Sequence, residues 1–225
     1  MIKKNCFLIL LMIFCAVFMA FIDGVIQPVY WIKSIIKIVM FLGVPLFYFS
    51  CSSVDSRDLK QLWIFRKRDL KASSILAVIV YVIVLAAYFI FRSWIDFSGI
   101  KDSLVSQAGV NANNFIYVAI YISIVNSLLE EFFFRGFAFL VLKEKTGRVF
   151  AYCFSSMLFA FYHVGMIQGW FNPIIYVLAM LGLFLGGCIF SFLNETSKSI
   201  YPSWLVHMAA NLAINTVGCL LFKIL

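Results

Sequence analysis

Long apolar runs broken by short polar stretches organise the whole chain. They fall at about 6–22, 30–50, 74–91, 114–142, 149–165, 174–193 and 200–222, close to the ~20 residues that an α-helix needs to cross a bilayer. The pattern predicts an all-α, polytopic transmembrane helix bundle of about seven spans, with six and eight as alternatives. Lys33 and Lys37 sit in the second run, where they are expected near its outer end with their ammonium groups snorkelling to the interface. The fourth run is long enough that it must tilt or protrude. After the third, Trp94, Ile95, Phe97, Ile100 and Leu104 suit either an interfacial helix or a plain loop. No internal repeat or low-complexity linker divides the chain. The natural units are residues 1–113, with the N-terminal spans and loops, and 114–225, whose four spans form the expected functional core.

Composition narrows the class. Hydrophobic residues make up 64% and charged residues 12% of the 225 positions, against roughly 25% charged in soluble domains, so a soluble protein is excluded. The net charge of +8 resides in short segments, namely Lys3 and Lys4, the stretch 52–73 with Arg57, Lys60, Arg66, Lys67, Arg68 and Lys71, and Lys143, Lys145 and Arg148. No basic stripe with interleaved stacking aromatics is present, so nucleic acid is not an expected partner. The basic segments instead predict a cytoplasmic N-terminus, cytoplasmic second and fourth connections, and an outward C-terminus. Short loops and small size suggest a bacterial plasma membrane. The first run has the outline of a signal peptide but no small-x-small cleavage site, so an uncleaved span is expected. Cys6, Cys15, Cys51, Cys153, Cys188 and Cys219 form no C-x-x-C pair and are expected as free, buried thiols.

With the loop charges set aside, the spans keep Glu130, Glu131 and Arg135 in the fourth, His163 in the fifth and His207 in the seventh. Ionisable groups in a membrane are costly and usually face the bundle interior or a wet cavity. Glu131 and Arg135 are i and i+4 neighbours with the acid first, the favourable order for an ion pair. A buried carboxylate needs such a partner whatever its function, so a purely structural role for Arg135 competes with a functional one. Glu130 is rotated about 100° away and is left uncommitted. His163 follows Phe159 by four and His207 precedes Asn211 by four, so each pair shares a helix face. A rise of ~1.5 Å per residue puts Glu130, His163, His207 and Asn211 at roughly 10 to 21 Å from the cytoplasmic span ends, which permits one site opening toward the cytoplasm.

A carboxylate, two imidazoles and an amide within the membrane make a hydrolytic kit. The glutamate, aided by a histidine, can take a proton from water. N–H donors can then hold the oxyanion of a tetrahedral intermediate. No G-x-S-x-G segment offers a competing nucleophile. Glu130, His163 and His207 would also serve as zinc ligands, although the H-E-x-x-H helix that usually builds such a site is absent. No cofactor is favoured; zinc stays open.

Three segments carry a family resemblance. Glu130-Glu131-Phe132-Phe133-Phe134-Arg135-Gly136 is similar to the E-E-x-x-x-R-G motif of the CAAX-protease and bacteriocin-processing (Abi) intramembrane proteases. Phe159 to His163, preceded by Ser155-Ser156, resembles their F-x-x-x-H motif, and His207 to Asn211 their H-x-x-x-N motif. The three occur in order on successive apolar segments over roughly 114–222. The resemblance implies a membrane-embedded endopeptidase acting on a membrane protein or a peptide precursor, as in CAAX processing or bacteriocin maturation and immunity. It implies Glu130 and His163 as the water-activating pair, His207 and Asn211 as the oxyanion site, and Glu131, Arg135 and Phe159 as support. The family has been described both as metalloproteases and as metal-free glutamate enzymes. Competing readings are a proton-coupled transporter, which the lack of inverted repeats disfavours, and a non-catalytic bacteriocin-immunity membrane protein.

Overall fold

The structure, a computed structural model, describes residues 2–51 and 60–225. Residues 52–59 of the basic connection, Arg57 among them, lie outside the described residues. In chain order the helices are α1 (Cys6–Ile26), α2 (Tyr30–Cys51), α3 (Lys67–Phe91), α4 (Ser98–Ala108), α5 (Phe115–Thr146), α6 (Arg148–Ile167), α7 (Pro173–Ser197) and α8 (Tyr201–Leu221). All but α4 are long and apolar enough to span a membrane, giving seven candidate spans among the described residues. Large apolar side chains such as Phe47, Val149 and Ile174 face outward, as a lipid environment requires. This is a multi-pass membrane protein.

Local chemistry explains where the helices depart from the apolar runs. α3 begins at Lys67, about seven residues before its apolar stretch, because Lys67-Arg68-Asp69-Leu70-Lys71 continues the helix into polar surroundings. Hydropathy marks the part of a helix that lipid touches and not the whole helix. α7 starts where Asn172 Oδ1 accepts the N–H groups of Ile174 and Ile175, each at 3.1 Å, with Pro173 at the first helical position. The segment after α3 contains the helix α4 over Ser98–Ala108, one of its two expected forms.

α5 is the centre of the bundle. Every residue from Leu129 to Phe139 is buried, the signature of a helix covered on all sides. Its turns widen to the π form over Ile122–Asn126 and Glu131–Val141, a geometry frequent at functional sites. Phe41 of α2 stacks on Phe133 at 4.4 Å and meets Phe134 and Tyr162 edge-on, binding α2 and α6 to α5. α1 crosses α6 at Gly24 and Gly165, where a Cβ on Gly165 would collide with the Ala20 carbonyl oxygen. α3 lies along α8 and buries only Ser73 and Ala77.

Two expectations are corrected here. Lys33 and Lys37 do not snorkel outward: Lys33 pairs with the buried Asp23 at 3.1 Å, and Lys37 turns into the bundle. Both acids they approach are buried, and a nearby opposite charge offsets desolvation that the interface would otherwise relieve. The cysteines are free, but only Cys15 and Cys219 are buried; Cys6, Cys51 and Cys153 are exposed and Cys188 is intermediate. A thiol is apolar enough to face lipid, so an apolar run does not assign it to the interior.

Candidate active site

Four of the site's side chains come from one helix. Asn126, Glu130, Glu131 and Arg135 project from α5, at spacings of four and one that aim the two carboxylates to different sides. α6 adds Phe159, Tyr162 and His163, α8 adds His207 and Asn211, α7 adds Phe190 and α2 adds Lys37.

The two oxygens of Glu130 have different surroundings. Oε1 accepts from Asn126 Nδ2 at 2.7 Å and from the Tyr162 hydroxyl at 3.2 Å, with Lys37 Nζ at 3.5 Å. Oε2 accepts no hydrogen bond among the described residues and lies 3.9 Å from His163 Nε2 and 3.7 Å from His207 Nε2. The expectation that Glu130 stands uncommitted holds for one oxygen only. An entirely free carboxylate at this depth would carry an uncompensated desolvation cost.

Each histidine is oriented through its other nitrogen. His163 Nδ1 lies 2.7 Å from the Phe159 carbonyl oxygen, which can only accept, so Nδ1 carries the proton and a neutral ring points an Nε2 lone pair at Glu130. His207 Nδ1 donates to Glu131 Oε1 at 2.9 Å, with the same consequence for its Nε2. Glu131 also meets Arg135 at 3.3 Å. It is thus shared between the arginine and His207, where i, i+4 spacing suggested the arginine alone. The guanidinium of Arg135 is fully buried between the rings of Phe159 at 4.1 Å and Phe190 at 4.9 Å, a stacking suited to its flat, weakly hydrated shape. Phe190 also stacks on His207 at 5.0 Å.

Glu130, His163 and His207 therefore converge on one point, and Glu131 and Arg135 adjoin it. Asn211 is one turn beyond His207 and donates to the Ile122 carbonyl at 3.3 Å, leaving one amide proton of Nδ2 uncommitted to that bond. The site is closed: Glu130 is 2% exposed and each histidine 5%. Aromatic rings roof the centre, because Phe159, Tyr162 and Phe190 pack directly on the imidazoles. Formal charges balance, with two carboxylates matched by Lys37 and Arg135.

Zinc would need Glu130, His163 and His207 as ligands. Among the described residues no group of three His, Cys, Asp or Glu side chains is arranged to hold a metal ion. The Lys37 ammonium on the same carboxylate would also repel a dication.

Lys37, Asn126 and Tyr162 are absent from the motif reading. Lys33 and Lys37 share one face of an otherwise apolar helix at i, i+4, which marks an inward polar face. Asn126 lies four residues before Glu130, and Tyr162 next to His163.

Residues 112–213 match the family model described as type II CAAX prenyl endopeptidase Rce1-like. The match spans all three motifs, so the CAAX-protease resemblance is shown over the region that carries them, and it supports a membrane-embedded protease with a peptide or protein substrate. No curated protein and no solved structure matches the chain.

Proposed function

We propose that the protein is an intramembrane endopeptidase in which Glu130 activates water without a metal ion. The observation that carries this reading is the asymmetry of Glu130: Oε1 is held by Asn126, Tyr162 and Lys37, while Oε2 faces two imidazole nitrogens at 3.7 and 3.9 Å. A carboxylate fixed by one oxygen presents the other as a general base in a set direction.

A water bound between Oε2 and His163 Nε2 attacks the peptide carbonyl carbon as its proton passes to Oε2. The carbonyl oxygen becomes an oxyanion. The second amide proton of Asn211 stabilises that charge, while Glu131 accepts from His207 Nδ1 and holds that ring beside the reacting carbonyl. Oε2 then returns its proton to the leaving amide nitrogen as the C–N bond breaks, giving a carboxylic acid and an amine, between which the remaining acidic proton passes on release. Arg135, 3.3 Å from Glu131, holds that carboxylate in line with His207. The substrate is a peptide segment presented at the membrane, from a peptide precursor or a membrane protein.

The test uses the full chain in liposomes with a library of internally quenched peptides. Glu130→Gln keeps acceptors for Lys37 and Asn126 but removes the base, and is expected to lower cleavage by at least about 100-fold with the thermal transition retained. A strong chelator is expected to leave wild-type cleavage unchanged. Wild-type activity in the folded Gln variant would refute the proposal.

A further inference from the structure

The family match begins at residue 112, yet a side chain from α2, far outside it, completes the surroundings of Glu130. Lys37 lies seven residues after Tyr30, roughly 10 Å along the helix, and is 6% exposed. A lysine near a helix end ordinarily extends its stem so that the ammonium reaches the interface. This one spends its length inward, and each contact of its ammonium is with the site: Asn126 Oδ1 at 2.6 Å, Glu130 Oε1 at 3.5 Å and the face of Tyr162 at 5.0 Å.

The geometry does more than cancel a charge. Asn126 accepts from Lys37 through Oδ1 and donates to Glu130 through Nδ2, so the lysine fixes which way round the amide sits. Lys37, Asn126 and Tyr162 all engage the same carboxylate oxygen. Together they stop the carboxylate from rotating, and only Oε2 is left toward the histidines. A cation whose sole task was to neutralise Glu130 would serve equally well beside either oxygen.

We infer that Lys37 is a positioning residue for Glu130, and that α2 is for this reason part of the functional site. The inference rests on the proposed endopeptidase reading. Lys37 touches neither water nor substrate in this scheme; it acts through the orientation of Glu130 and through Asn126.

The experiment compares Lys37→Met and Lys37→Arg with wild type in the same liposome assay, with rates scaled to folded protein. Lys37→Met is expected to lower kcat by about 10- to 100-fold, with KM within about twofold, and Lys37→Arg to recover most of the loss. A purely structural lysine would lower the yield of folded protein and leave kcat per folded molecule at the wild-type value, which would overturn the inference. Should Lys37→Met fail to fold, Asn126→Ala carries the test, since it keeps both charges and removes only the relay. A kcat loss of about tenfold at constant KM is expected, and wild-type kcat would overturn the inference. Glu130→Gln, run alongside, separates the levels: activity in that variant defeats the endopeptidase reading itself, whereas an inactive Glu130→Gln beside fully active Lys37 and Asn126 variants defeats only the role of Lys37.

Discussion

Glu130 and Glu131 are adjacent in the chain and separated in function by helix rotation alone. Glu131 belongs to a buried network with Arg135 and His207, and Glu130 to one with Lys37, Asn126 and Tyr162. Arg135→Leu is expected to destabilise the protein by about 3–5 kcal/mol, because it leaves a buried carboxylate without its cation and empties the slot between Phe159 and Phe190. Arg135→Lys restores the charge but not the flat stack, and should recover only part of the loss. Thermal unfolding in detergent checks both. The Glu131–Arg135 pair was legible because i, i+4 neighbours on a helix must meet. The inward turn of Lys37 was not, because position along a run gives the depth of the Cα and not the direction of a flexible stem.

At the scale of elements, apolar runs located all seven spans because lipid contact and hydropathy are the same property. They did not locate the polar first turn of α3 or the widened turns of α5, which leave no mark in hydropathy. Helix crossings were equally hidden, since a glycine in an apolar run reads the same whether or not another backbone touches it. Gly165 and Gly186 make that distinction testable. Gly165→Ala places a methyl against the Ala20 carbonyl and should cost about 1–3 kcal/mol as α1 and α6 are pushed apart. Gly186→Ala meets nothing within 4 Å and should be neutral or stabilising by up to about 1 kcal/mol. Melting temperatures of the two variants, compared with wild type, check the pair.

At the scale of the molecule, α5 is enclosed by its neighbours while α3 packs chiefly along α8 and leaves most of its surface exposed. The convergence of α2, α5, α6 and α8 on Glu130 needed three dimensions, since α2 and α8 are far in sequence from the α5–α6 pair they complete. Sequence motifs named Glu130, His163 and His207; packing added the α2 lysine and closed the centre under aromatic rings. The distribution of Lys and Arg predicts that the N-terminus and the connections at 52–66 and 143–148 lie on the cytoplasmic side. Reporter fusions after Lys60 and Lys145 should both report a cytoplasmic location, and one within 109–114 the opposite side; two or more reversed signals would reject this orientation.

The most direct test of the central claim is the cleavage rate of reconstituted wild-type protein and its Glu130→Gln variant, each with and without chelator. Cleavage by wild type that chelator does not change, and that falls at least about 100-fold in a folded variant, is the predicted result. Full cleavage by the folded variant, or loss of wild-type activity to chelator with recovery on adding zinc, would contradict it.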